Sequence, residues 1–173
     1  AWRYCRSWPG VPYAPEGPKS GQILVFDDAT TYALRAYSTQ RGHNPLFTAS
    51  EDGYILCADD NDNEAVNPRG YRIHRGKPPK WSVRIPVRAV AMVLAGHTLF
   101  LAGPPNVFPD DDPFAALEGR RGAELWAVAA SDGEKLSARH LDAVPVFDGM
   151  VAAEGKLLIS TENGELICLF DGR

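Results

Sequence analysis

The sequence predicts an all-β protein assembled from repeated small antiparallel sheets, because one short unit occurs twice and turn signals recur along the chain. Residues 50–58 (SEDGYILCA) align with residues 161–169 (TENGELICL) at a constant offset of 111 residues. Each copy places Asp-Gly or Asn-Gly before an apolar run, and this arrangement is a strong short-range signal for a β-hairpin. The 16 glycines and 14 prolines are distributed along the chain, as a fold with many turns requires.

The repeat extends beyond this hairpin. Residues 99–102 (LFLA) align with 157–160 (LLIS) at an offset of 58, and residues 124–128 (ELWAV) align with 165–169 (ELICL) at an offset of 41. The two offsets differ by 17 residues, which predicts an insertion within 104–122. Successive units of three strands and two turns are typical of neighbouring β-propeller blades. The predicted fold is therefore a partial β-propeller of about three four-stranded antiparallel units with two loop insertions.

The chain divides into a lead-in and a propeller segment. Residues 1–20 are rich in proline, glycine and aromatic residues and show no strand alternation, so we expect them to be irregular. The propeller segment covers 21–173. Its predicted blades lie at about 21–80, 81–141 and 142–173.

Two hairpins are predicted in the first blade. One joins strands at 22–26 and 31–37, and the other joins strands at 45–49 and 54–58. The polar residues 59–80 contain several prolines and glycines, so we predict a loop there.

The second blade begins within an apolar, β-prone stretch at 81–93. Pro86 interrupts this stretch, which predicts an entering strand followed by the first strand of the next blade. The insertion holds the one helical candidate, in which Asp112 caps, Pro113 occupies the first turn and Gly119 ends the helix.

The two aligned turns predict a backbone conformation. Gly53 and Gly164 are expected to have positive φ in two-residue hairpin turns. Replacing either glycine with a β-branched residue is expected to destabilise the protein by roughly 1 kcal/mol or more.

Composition excludes some classes of protein. The chain has 18 Lys and Arg against 22 Asp and Glu, a net charge of −4, and no basic stripe, so a nucleic-acid surface is not expected. No apolar stretch approaches the roughly 20 residues of a membrane span. Because the sequence begins with Ala1 and not methionine, we expect a processed chain or a piece of a longer one.

The three cysteines give no disulfide framework. Cys57 and Cys168 occupy equivalent positions of the repeat within apolar strands. Both are expected to be small buried residues, since free cysteine is among the most buried residue types. Cys5 lies in the irregular lead-in.

A family resemblance follows from these segments. Residues 130–136 (ASDGEKL), preceded by the strand 124–129 (ELWAVA), resemble the PQQ-type propeller repeat, whose pattern is Ala-x-Asp-x-x-Thr-Gly-x-x-x-Trp. Further segments are similar to PQQ-like repeat proteins of planctomycete-type bacteria: 22–28, 59–64, 99–105, 112–114, 119–122 and 145–150. The chain departs from the repeat at Asp132-Gly133, which replaces Thr-Gly, and at the closing tryptophan position, where Arg139 or His140 stands.

The resemblance implies a ring of several blades, of which this chain supplies about three. The expected partners are the remaining blades of the same polypeptide or another protein chain, in the periplasm or outside the cell. The function implied is a non-catalytic interaction or assembly scaffold. The alternative is part of a PQQ-dependent quinoprotein dehydrogenase whose cofactor residues lie outside this chain. Such enzymes hold the quinone with a tryptophan, adjacent cysteines and calcium, and this sequence has no adjacent cysteines.

One acidic cluster is a candidate calcium site, because calcium takes several oxygen ligands from loops. It consists of Asp59, Asp60, Asp62 and Glu64. The cluster lacks the glycine of the common calcium loop, and turn-forming acids in solvent are the alternative interpretation.

The insertion supplies the candidate partner-binding residues. Aromatic residues and arginine are the usual energetic anchors of interfaces. We therefore expect Phe108, Phe114 and Arg120 to contact a partner. The four histidines stand apart and match no metal or catalytic motif.

Overall fold

The computed structural model describes residues 17–35, 54–66 and 74–170, and these residues contain thirteen β-strands and no helix. The all-β prediction is confirmed. The strands are β1 (Ile23–Phe26), β2 (Thr30–Arg35), β3 (Tyr54–Asp60), β4 (Ala65–Val66), β5 (His74–Arg75), β6 (Trp81–Ile85), β7 (Ala91–Ala95), β8 (Thr98–Gly103), β9 (Ala123–Ala129), β10 (Lys135–Leu141), β11 (Pro145–Ala153), β12 (Lys156–Thr161) and β13 (Leu166–Phe170).

The strands form four antiparallel sheets. The first sheet has the order β1-β2-β3-β6, and the second has the order β10-β9-β8-β7. The third sheet has three strands, β11-β12-β13, while β4 and β5 form a two-stranded ribbon. The first strands of the three larger sheets are neighbours, since β7 contacts both β1 and β11. Blades of a propeller meet through their first strands in this way, and here the ring is not closed.

The first predicted hairpin is present as β1 and β2. Asp27 closes its turn, because its carboxylate accepts hydrogen bonds from the N–H groups of Ala29 (2.8 Å) and Thr30 (2.7 Å). The strand predicted at 54–58 is β3, and the strand predicted at 45–49 lies outside the described residues.

The predicted loop at 59–80 is wrong in part, since it contains β4 and β5. The ribbon continues in a hydrogen bond from the Gly76 N–H to the Glu64 carbonyl (2.8 Å). Two-residue strands leave no periodic signal in a sequence, which is why this ribbon was not expected. In addition, β6 pairs with β3, so the first sheet extends to Ile85 instead of ending near residue 80.

The insertion at 104–122 forms turns, so the helix predicted there is wrong. One of its backbone hydrogen bonds has the i to i−4 spacing of an α-helix, from the Glu118 N–H to the Phe114 carbonyl (2.9 Å), and those from the Ala115 and Gly119 N–H groups have i to i−3 spacing. Gly119 then takes a positive φ of 75° and stops the turn, as expected of a terminating glycine. A segment this short does not offset the cost of helix nucleation.

The turn between β12 and β13 confirms the conformation predicted for Gly164, whose φ is 86°. Its predicted length is wrong, because three residues, 162–164, connect the paired residues Thr161 and Glu165. The Gly164 N–H donates to the Thr161 carbonyl (3.0 Å), so glycine occupies the left-handed position of a three-residue hairpin loop. Gly53 lies outside the described residues.

Two apolar clusters hold the sheets together. The first cluster lies between the first and second sheets and includes Leu34, Leu56 and Leu101. The second cluster lies between the second and third sheets and includes Leu125 and Ile159. Each cluster is continuous across two sheets, so burial of apolar surface stabilises their stacking.

Trp81 of β6 connects the first sheet to the second. Its indole N–H donates to the Ala130 carbonyl (3.0 Å), and its ring lies against Gly133 in the turn between β9 and β10. A side chain other than hydrogen at residue 133 would therefore overlap the ring. None of the elements in the described ranges is a helix that is long and apolar enough to cross a lipid bilayer.

Candidate interaction surface

The third sheet has one covered face and one uncovered face. Met150, Leu157 and Ile159 lie on the covered face, where they are buried in the second apolar cluster. Side chains alternate between the faces of a strand, so their neighbours in sequence lie on the other face. That other face, called here the open face, carries the apolar residues Val151, Leu158, Leu166, Cys168 and Phe170 and the exposed polar residues Lys156 and Ser160.

The open face is mostly apolar although it meets solvent. Leu166 is 65% exposed and Phe170 is 69% exposed, and Val151 is also exposed. These three side chains come from β11 and β13 of one sheet, so they are not scattered single exposures. Contiguous exposed apolar patches of this kind are typical of interaction sites and of ligand-binding grooves.

β13 also presents an edge that no described strand pairs. In the first sheet β3 is paired on both sides, by β2 and β6, and in the second sheet β9 is paired by β8 and β10. β13 holds the equivalent place in the third sheet and is paired with β12 alone. We call this side the free edge of β13. An unpaired apolar edge is a template for pairing with another chain.

The sequence of β13 fits a strand that is covered on both faces. Leu166 to Phe170 is an uninterrupted apolar run, whereas a strand with one solvent-exposed face alternates apolar and polar residues. Only the face with Ile167 and Leu169 packs in the second apolar cluster. The run therefore carries more apolar surface than the described sheets cover.

A cleft of about 720 Å³ opens between the second and third sheets beside β13. Apolar side chains including Phe100, Leu125 and Leu157 line it, and Ser137 and Arg139 of β10 lie along one side. Leu169 and Phe170 of β13 lie along the other side, next to the free edge. The volume falls within the roughly 300–1,000 Å³ of pockets that bind ligands.

The predicted calcium cluster does not assemble. Asp59 is fully buried and accepts two hydrogen bonds from Arg75, at 2.6 Å from Nε and 3.0 Å from Nη2. Asn63 donates a third at 3.2 Å. Burial lowers the pKa of Arg75, but the hydrogen bonds and charge of Asp59 and Cys57 outweigh it and raise that pKa overall. The Asp59 carboxylate is thus occupied by a cation of this chain.

The other members of that cluster point to different partners. Asp60 forms an ion pair with Lys80 (2.9 Å), Asp62 forms one with Lys77 (2.7 Å), and Glu64 is exposed. Within the described ranges no three side chains of the His, Cys, Asp or Glu types are placed to hold a metal ion. Asp60, Asp62 and Glu64 are not buried, as the alternative of acids in solvent requires, whereas the buried Asp59 fits neither interpretation.

The two equivalent cysteines differ in environment. Cys57 is buried as predicted, and its thiol donates to the Ala33 carbonyl (3.6 Å) and accepts from Arg75 (3.3 Å). Burial raises the pKa of the Cys57 thiol, although Arg35 and Arg75 oppose this. Cys168 is exposed on the open face, so its predicted burial is wrong. The sequence placed it in a covered strand, and the described sheets do not cover that face.

The predicted anchors of the insertion lie at the surface but do not form one patch of free groups. The exposed fraction is 59% for Phe114 and 36% for Phe108. Arg120 is held within the insertion, because it binds both carboxylate oxygens of Asp112 (2.7 and 2.6 Å) and also pairs with Glu118. The positive charge of Arg120 is thus already paired with carboxylates of the insertion.

The open face and the free edge were not among the residues chosen from sequence. A sequence signal for them does exist: the apolar run of β13 lacks the polar alternation of a strand with one solvent-exposed face. No family model and no curated protein matches the sequence. The resemblance to the PQQ-type repeat therefore remains a prediction.

Proposed function

We propose that this chain is a non-catalytic scaffold of propeller-like blades, whose third sheet is covered by a further sheet of the same kind. The observation that carries the proposal is the open face, with Leu166 and Phe170 mostly exposed in an otherwise apolar strand. The opposite face of the same sheet already packs against a sheet of this protein. A second sheet on the open face would repeat that packing.

The surroundings of the described tryptophans support this proposal over the quinoprotein alternative. Trp126 is buried, its indole N–H donates to Glu124 (2.7 Å), and Lys135 Nζ lies 4.4 Å from the ring centroid. Trp81 is bound to the next sheet through Ala130. Both rings are engaged in packing and hydrogen bonding, so neither offers a free surface on which a quinone would stack.

The scaffold proposal is tested with one substitution on the open face and one matched substitution elsewhere. We expect Leu166→Lys to weaken binding of the native partner at least about tenfold, because the interface would bury an unpaired ammonium group. Leu136→Lys is the control, since Leu136 is also a strand leucine and is 55% exposed, but lies on β10. Native mass spectrometry of each tagged variant, purified from the organism of origin, measures the amount of associated protein.

Both variants are expected to unfold at the same temperature as the parent, because substitutions of exposed side chains change stability by only about 0.5 kcal/mol. Equal loss of partner in the two variants would contradict the proposal. So would full retention of the partner by Leu166→Lys.

The quinoprotein alternative has its own test. We expect tryptophan fluorescence to stay constant when PQQ and Ca²⁺ are titrated into the chain, because Trp126 is buried beneath Lys135 and bound to Glu124. PQQ is a flat polyanion that needs stacking surfaces and a bound cation. Saturable quenching at micromolar PQQ that disappears in Trp126→Phe would instead favour a quinone site.

A further inference from the structure

We propose that Asn163, in the turn between β12 and β13, is a site of spontaneous deamidation that converts it to aspartate and isoaspartate. The inference goes beyond the proposed scaffold function, because the reaction needs only water and hydroxide and involves neither a partner nor an enzyme. The groups that carry it are the turn residues 162–164 and the two residues that flank them, Thr161 and Glu165.

The reaction joins the Asn163 side chain to the next backbone nitrogen. The nitrogen of Gly164 loses its proton to hydroxide and forms a bond to Cγ of Asn163, and the bond between Cγ and Nδ2 breaks as ammonia leaves. Water then opens the resulting cyclic imide at either of its carbonyls. One opening gives aspartate, and the other gives isoaspartate, in which the main chain runs through the side-chain carbon. The net change is the addition of water and the loss of ammonia, without oxidation or reduction.

The following residue distinguishes Asn163 from the other asparagines of the sequence. Gly164 has no Cβ, so its nitrogen can approach a side chain closely. Two of the others precede proline, which has no N–H to lose, and three precede Asp, Glu or Val, whose side chains crowd the nitrogen. The other asparagines are Asn44, Asn61, Asn63, Asn67 and Asn106.

Water and hydroxide can reach this turn. Asn163 and Gly164 are exposed, and nothing lies within 4 Å of the place where a Cβ of Gly164 would stand. Asn63, by contrast, is 1% exposed, and its amide nitrogen donates to Asp59 and to the Lys77 carbonyl. Exposure therefore favours the same asparagine as the sequence does.

Hydrogen bonds polarise the side-chain carbonyl of Asn163. Its Oδ1 accepts from the Thr161 hydroxyl (2.6 Å) and from the Glu165 N–H (3.3 Å). Thr161 is buried, and its hydroxyl also lies 2.9 Å from the Glu165 carbonyl, the alternative acceptor for its proton. Donors directed at a carbonyl oxygen stabilise the negative charge that develops there when a nucleophile adds to the carbon.

One hydrogen bond opposes the reaction. The Gly164 N–H donates to the Thr161 carbonyl (3.0 Å), and this bond must break before the nitrogen loses its proton. The three residues of the loop are all exposed, and exposed turns open at little cost in free energy. We therefore expect the reaction to occur in the folded protein, more slowly than in a peptide of the same residues.

The products change the start of β13. Both place a new negative charge between Glu162 and Glu165, which are exposed. Isoaspartate also adds one carbon to the main chain between residues 163 and 164. Leu166, the first residue of β13, lies on the open face directly after this turn.

Peptide mapping of the aged protein measures the reaction. The folded protein is incubated at mildly alkaline pH and then digested with pepsin in acid, where the backbone nitrogen keeps its proton. We expect Asn163 to convert at least about tenfold faster than any other asparagine, because only the residue after it lacks a Cβ. Deamidation changes the mass of a peptide, which separates it from isomerisation at the Asp-Gly steps 132–133 and 148–149. Absence of conversion at Asn163, or faster conversion elsewhere, would overturn the proposal.

Gly164→Ala is the matched variant. It keeps Asn163 and places a methyl group beside the attacking nitrogen, where the structure has room for it. We expect conversion to slow at least about tenfold, because the methyl group hinders the approach. The substitution also strains a backbone with a φ of 86°, and loosening of the turn would by itself speed the reaction. Slower conversion therefore does not follow from structural damage, and conversion as fast as in the parent would contradict attack by the Gly164 nitrogen.

The two products are then compared by thermal unfolding. The isoaspartate form is separated by ion exchange, and Asn163→Asp provides the same charge on an unaltered main chain. We expect the isoaspartate form to unfold at a lower temperature than Asn163→Asp, because the added carbon displaces the Glu165 carbonyl from the Thr161 N–H, which it meets at 3.0 Å. Equal unfolding temperatures would contradict the effect on the start of β13.

Discussion

Asp59→Ala is expected to destabilise the protein by about 3–5 kcal/mol, because removal of one partner leaves the other charge of a buried ion pair uncompensated. The Asp59 side chain is 0% exposed, and the Arg75 side chain is nearly buried. This carboxylate accepts two hydrogen bonds from Arg75, one from Asn63 and one from the Lys19 backbone N–H. Urea unfolding followed by circular dichroism measures the change in the free energy of unfolding.

Asp62→Ala is the matched control for this experiment. Asp62 belongs to the same acidic run but forms an exposed ion pair with Lys77, and exposed pairs contribute little because water screens them. We expect its unfolding curve to overlay that of the parent. The double variant Asp59→Ala/Arg75→Met is expected to recover part of the lost stability, since it removes both charges of the pair. A similar effect of Asp59→Ala and Asp62→Ala would contradict the role given to burial.

Gly133→Ala is expected to destabilise the protein by about 2–5 kcal/mol, for two reasons that add. Gly133 has a φ of 81°, and a left-handed backbone costs a residue with a side chain about 1–2 kcal/mol. A Cβ at this position would also lie 2.8 Å from Cε3 of Trp81. Trp81 cannot move away without losing its hydrogen bond to Ala130, and such overpacking costs about 1–3 kcal/mol more.

Gly164→Ala separates the two contributions. Gly164 has a similar φ of 86°, and nothing lies within 4 Å of the place where its Cβ would stand. Only the backbone cost of about 1–2 kcal/mol is therefore expected. Thermal unfolding of the two variants gives the difference, which measures the contact of Trp81 with the second sheet. Equal destabilisation would show that the Trp81 contact adds nothing.

Much of the fold could be predicted from the sequence, because hairpins are encoded locally. The Asn-Gly turn before β13 specifies a glycine with positive φ, and the apolar runs on either side of it specify strands. The turn length of three residues was not predictable from Asn-Gly, because that dipeptide is compatible with hairpin loops of more than one length. The ribbon of β4 and β5 was missed, since two residues are too few to show alternation.

The candidate surface was less predictable, because it depends on which neighbours each strand receives. Cys57 and Cys168 occupy equivalent places in the repeat, yet one is buried and the other is exposed. The difference arises from the surroundings of their sheets, which the repeat does not encode. The calcium prediction failed for a related reason: Arg75, 16 residues away, takes the carboxylate of Asp59.

The sequence by itself determined that the chain is all-β, where most of its strands lie, and that its sheets repeat. These properties follow from turn residues and from the period of apolar side chains, which act over a few positions. Only the tertiary structure decided that Trp81 binds the next sheet, that Asp59 is buried with Arg75, and that none of the described strands pairs with the outer edge of β13. Each of these depends on contacts between residues far apart in the chain, and local patterns do not specify which distant groups meet.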